Sequence, residues 1–245
     1  SPRGEVAITI DGVLDEAPWL GAEEAGGFVE RSPHPGAAPP VETTIRLLFD
    51  ADALYLGIVL GLAPGERPRG LEQTRDSTDI WNDDAISVKI DARRDHRTTL
   101  GFVVNAAGAQ LDYVALENGA VVRRELDATW DSAGRVEETR WVVEMRLPIA
   151  ALGLSSSSEA RAIGLQLSRD HNARAATYDW APMLPEFGAF SAVHYGIVRG
   201  LEGLGGRTPL AITPYGLVEY GSCDGLEHEH VFRLSAGGDA QLRVA

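Results

Sequence analysis

From Ala85 to Asp91 every second residue is apolar: Ile86, Val88 and Ile90 alternate with Ser87 and Lys89. A period of two belongs to a strand with one buried face and does not suit a helix. The pattern recurs along the chain. Residues 43–49 and 53–62 read as a hairpin closed by Asp50-Ala51-Asp52, and 99–105 and 109–114 as another closed by Ala106-Ala107-Gly108. In 141–147, Trp141, Val143, Met145 and Leu147 share one face until Pro148 stops the run. Further strands are predicted at 5–10, 121–126, 162–169, 194–200, 210–220 and 230–244, with a single helical turn at 149–154. The 27 glycines and 13 prolines fall between these runs, where turns need them. Such a chain folds as an all-β protein, an antiparallel β-sandwich or jelly-roll-like domain over 1–205 with a short β tail over 206–245. Trp19 and Trp141 are expected in the core.

Charge narrows the partners. The net charge of −14 leaves no basic footprint for phosphate, which excludes nucleic acid as a partner. A single cysteine, Cys223, rules out an internal disulfide and a Cys-based metal site. No apolar run is long enough for a membrane-spanning helix. No zinc-protease, nucleophile-elbow or phosphate-loop motif occurs, so the expected protein is not an enzyme. Asp76, Asp79, Asp83 and Asp84 crowd one irregular segment, a composition that suits calcium with its many flexible oxygens, or a charged loop whose aspartates cap turns. Asp79, Asp83 and Asp84 are the candidate ligands for a structural calcium. Trp81, Trp130 and Trp180 lie in or beside polar sequence, where an aromatic ring stacks on a sugar or packs as a lid.

Five segments, in order, resemble the family 9 carbohydrate-binding modules, a DOMON-like group. They are Ile8-Thr9-Ile10-Asp11-Gly12 with Leu14-Asp15-Glu16 and Trp19; Phe49 to Leu56; Trp81-Asn82-Asp83-Asp84 running on to Asp91; Phe102-Val103-Val104-Asn105; and Gly164-Leu165-Gln166-Leu167. The resemblance implies a β-sandwich, structural calcium, and a sugar held between two tryptophans. Trp81 fits the first, Trp180 is the candidate for the second with Phe190 as its rival, and Asn105 joins them as a ligand-binding candidate. Two departures stand out. The family's sugar-binding glutamate falls at Ser87 and its sugar-binding arginine at Val103, and a valine offers a sugar hydroxyl no partner.

A closer resemblance is to bacterial envelope proteins in which such a domain precedes a barrel-type region. It rests on Arg75-Asp76, Asn105 to Asp112, Thr129-Trp130-Asp131 and Pro209 to Tyr215. It implies an extracytoplasmic chain, periplasmic and membrane-associated. The leading expectation is therefore a non-catalytic module docking on a membrane-protein complex or on its own barrel-type region, as an accessory subunit. The alternative is a calcium-dependent carbohydrate-binding module using Trp81 and Trp180, and a glycan hydrolase is a second alternative.

Overall fold

The computed structural model describes residues 7–124, 126–154, 161–183, 187–201, 210–223 and 229–242. One helical turn, α1 (Ala17–Leu20), precedes the strands β1 (Glu24–Ala25), β2 (Val29–Ser32), β3 (Thr43–Phe49), β4 (Ala53–Gly61), β5 (Ala85–Asp91), β6 (Thr99–Asn105) and β7 (Gln110–Leu116). They are followed by β8 (Val121–Arg123), β9 (Asp131–Val136), β10 (Arg140–Pro148), β11 (Arg161–His171), β12 (Ala176–Asp179), β13 (Gly196–Leu201), β14 (Leu210–Cys223) and β15 (Glu229–Leu242). Every pairing is antiparallel.

Two sheets make a sandwich. The smaller runs β1-β3-β4-β10-β9; the larger runs β2-β12-β11-β5-β6-β7-β8, with β13 sharing the β12 edge of β11. Alternation explains their packing. Leu54, Leu56, Ile58 and Leu60 of β4 and Trp141, Val143, Met145 and Leu147 of β10 meet Ile86, Val88 and Ile90 of β5, Phe102 and Val104 of β6, and Leu165 and Leu167 of β11 in one core. Each such fully buried aliphatic side chain stabilises the fold by about 1.5–3 kcal/mol. In the tail, β14 pairs with β15 from Leu210↔Leu242 to Cys223↔Glu229. The chain divides into two compact units, Ser1–Gly206 and Arg207–Ala245. The expected domain boundary at 205/206 lies outside the described residues.

The outward faces are covered too, and each cover rests on a glycine. Trp19 is fully buried against Gly57 of β4, where an added Cβ would come within 3.2 Å of its ring. Tyr113 of β7 lies directly over its cross-strand partner Gly101, where a Cβ would stand 2.0 Å from the ring. A glycine facing an aromatic lets the ring lie flat on the sheet. The Trp19 cover is tied down by buried Glu144 of β10, whose carboxylate accepts the backbone N–H groups of Asp11 (3.0 Å), Gly12 (2.7 Å) and Val13 (3.2 Å) and the Trp19 Nε1–H (2.9 Å).

This corrects the strand expected at 5–10. Residues 7–10 form no strand; the segment is held to the sheet by the Glu144 carboxylate rather than by a ladder. Trp130 is also neither exposed nor a lid. It is buried in the main core with Phe102, and its Nε1–H donates to Asp112 at 3.0 Å.

Candidate functional site

Strand β5 is buried along its whole length, so its outward side chains do not meet bulk water. Above them lies a second apolar cluster: Ile80, Ala85, Val103, Ala109, Leu111, Tyr113 and Ala115, with Trp81 and Phe190 packed on it. Between Trp81 and Phe190 opens a pocket of about 250 Å³, floored by Ser87, Lys89, Ser168, Asp170 and Arg31.

Local chemistry sets both walls. Trp81 sits on a 3₁₀ turn, Thr78–Asn82, whose cap is Ser77 accepting from the Asp79 N–H. Its ring meets Tyr113 at 6.4 Å. Phe190 is pinned from two sides. The Ala189 carbonyl accepts from the Lys89 ammonium at 2.9 Å. On the other side Asn118, held at φ 57°, offers its Oδ1 to the Ser191 hydroxyl (3.0 Å) and the Ala192 N–H (2.9 Å). Asparagine tolerates that left-handed backbone better than most residues. Phe190 then meets the edge of Tyr113 at 5.2 Å and 80°.

The floor is a charged relay. Lys89, the only lysine in the chain, is 3% exposed. It donates to Ser168 Oγ at 2.9 Å, and Ser168 donates in turn to Asp179 Oδ1 at 2.6 Å. The other Asp179 oxygen stands 3.0 Å from Arg31 Nε. Burial of the ammonium, partly offset by Asp179, lowers the Lys89 pKa to about 8. Asp170 takes the Thr177 hydroxyl at 2.9 Å, and burial pushes its carboxyl upward. Ser87 is 1% exposed, and its hydroxyl has no hydrogen-bond partner. Ser87 and Val103 are cross-strand partners, so the two positions expected to have lost polar clamps lie side by side on this face.

Of the expected ligand-binding residues, only Trp81 lines the pocket. Trp180 packs on the core between the sheets, its ring where a Cβ on Gly196 would stand 2.7 Å away, and Phe190 is the second aromatic lining the pocket beside Trp81. Asn105 has no capacity left for a ligand. Its amide nitrogen donates to the Glu72 carbonyl and to Asp83, both at 2.8 Å, and its oxygen accepts from Ala107 (3.1 Å) and Ala109 (2.8 Å). It closes the β6–β7 turn.

The calcium candidates are not brought together as a metal site either. Asp79 is exposed on its turn, whereas Asp83 accepts the N–H groups of Leu71 (2.9 Å) and Glu72 (2.8 Å) and Asp84 those of Arg69 (2.8 Å) and Asn172 (3.3 Å). Among the described residues no group of three or more His, Cys, Asp or Glu could hold a metal ion. These carboxylates staple the irregular loop before β5 by taking its otherwise orphaned backbone donors. Lys89, Ser168, Asp170 and Arg31 were not anticipated.

The family model described as carbohydrate family 9 binding domain-like matches residues 10–183. Three solved structures share the fold. One, from Bacteroides uniformis, carries a provisional assignment as a carbohydrate-binding protein; it has a TM-score of 0.60 at 14% identity and covers 74% of this chain and 87% of that one. The others are a carbohydrate-binding module family 9 from Caldicellulosiruptor kristjanssonii, solved with cellotriose and with glucose. Both have a TM-score of 0.56 at 16% identity and cover 82% of this chain, and 91% and 93% of theirs. No curated protein matches this chain.

Proposed function

The chain belongs to the carbohydrate family 9 binding domain-like family, and from that premise we propose that it is a non-catalytic module binding a sugar between Trp81 and Phe190. The observation that carries the reading is the pocket itself: two aromatic side chains and a set of polar groups, of which Ser87, Lys89 and Ser168 are buried and the Ser87 hydroxyl is unpartnered. A pyranose presents apolar C–H faces and polar edges. Aromatic walls take the faces, and a row of donors and acceptors reads the hydroxyls. At about 250 Å³ the pocket suits a short ligand such as one terminal ring rather than a long chain. Ser87 keeps a hydroxyl where the family has a glutamate, and Lys89 and Asp170 add polar atoms to the same pocket.

Two rival readings draw less support. Docking on a membrane complex, the leading expectation from sequence, has no matching feature in the family or in this pocket, and the carbohydrate alternative takes its place. Hydrolysis needs two carboxylates facing the ligand. Asp170 faces the pocket, but Asp179 is fully buried with one oxygen on Ser168 and the other on Arg31.

The test is titration calorimetry and tryptophan fluorescence with mono- and oligosaccharides on wild type, Trp81→Ala and Phe190→Ala. Binding by wild type with loss in both variants is expected. A folded wild type that binds no sugar at millimolar concentration sinks the reading.

A further inference from the structure

We propose that this pocket selects a sugar carrying a carboxylate, a uronic acid residue, with the Lys89 ammonium and the Ser87 hydroxyl as the donors that read it. The proposal rests on the carbohydrate reading above and names its ligand class.

Lys89 is the starting point. An ammonium has three N–H donors; two reach Ser168 and the Ala189 carbonyl, which leaves one, and Lys89 lines the pocket. No carboxylate stands within salt-bridge distance of it among the ion pairs of the described residues. A buried cation without a direct counter-charge is unfavourable, and an anionic ligand relieves it.

The remaining charges do not supply that partner. Asp179 serves two cations at once, Arg31 directly and Lys89 through the Ser168 hydroxyl. Asp170, the other acid at the pocket, accepts from the Thr177 hydroxyl and makes no ion pair with Lys89, though its charge favours the ammonium from a distance. Ser87 lies two residues before Lys89 on the same face of β5, and its hydroxyl is buried and unpartnered. Two open donors at one edge of the pocket match the two oxygens of a carboxylate. Phe190 lies beside the ammonium, its ring centroid 5.8 Å away. A neutral sugar would satisfy the hydrogen bonds but not the charge.

Calorimetry tests this with glucuronate and galacturonate against glucose and galactose, and with glucose 6-sulfate as a different anion. Wild type, Lys89→Met and Ser87→Ala are compared, with folding checked by circular dichroism. Wild type is expected to bind a uronate about tenfold or more tighter than its neutral parent. Lys89→Met should erase that preference, costing uronate binding about tenfold or more beyond whatever it costs the neutral sugar. Selective ¹³C labelling of lysine gives one ε signal, whose titration should move to higher pH when uronate binds. Equal or tighter binding of the neutral sugar overturns the proposal and leaves the carbohydrate reading intact, as does a preference for the sulfate. A folded wild type that binds none of these sugars removes both.

Discussion

Replacing Lys89 by Met should make the protein more stable, and the gain should vanish at high pH. A lysine pKa that falls from 10.5 to about 8 on folding means that the folded state resists the ammonium by roughly 3 kcal/mol. Between these two values the unfolded chain holds more protons than the native one, so wild-type stability rises with pH across that window. Below about pH 8 the whole penalty is present; above 10.5 it is gone. Methionine removes it at every pH and fills a similar volume. The substitution also forfeits the hydrogen bonds to Ser168 and Ala189, worth about 1 kcal/mol each. Lys89→Met should therefore gain roughly 1 kcal/mol at pH 7 and lose about 2 kcal/mol relative to wild type near pH 11. Urea unfolding from pH 6 to 11 on both proteins measures this. Taking the difference between them cancels Tyr113 and Tyr195, whose burial raises their pKa values in both proteins. Parallel pH profiles for the two proteins would refute the claim that this lysine is buried and charged.

Asn105→Ala should cost about 2–4 kcal/mol in chemical denaturation, because it strips four hydrogen bonds and leaves Asp83 short of a donor; sugar affinity per folded molecule should not change. Trp180→Phe should lower the melting temperature without altering the fluorescence change on sugar binding, whereas Trp81→Phe should reduce that change. Glu144→Gln should destabilise by about 3 kcal/mol, read by the urea midpoint, since an amide cannot accept from every donor that the carboxylate satisfies.

The alternation in β4, β5, β6 and β10 made the inner faces of the sandwich legible, since period-two burial is a local property of the chain. What local patterning hides is anything decided by a distant segment. Strand β9 has an exposed, irregular face and exists because β10 offers it an edge. Ser87 and Lys89 do point outward as their spacing demands, but a solvated surface was the natural reading; the cover comes from residues 78–82 and 189–192, far off in sequence. Trp180 and Phe190 were both eligible for the second wall, and only the path after β12 separates them. Asn105 looked available because its four partners are scattered over residues 72–109. One unused signal did exist. In a chain with 21 arginines, a single lysine placed mid-strand beside a serine is an anomaly worth following.

That solitary residue also turns the protein into its own unfolding gauge. A protease cutting after lysine has one target, in the middle of a strand flanked by β6 and β11. Fraying at the rim or loosening of the tail leaves that peptide bond out of reach, so scission into two fragments near residue 89 counts only molecules whose large sheet has come apart.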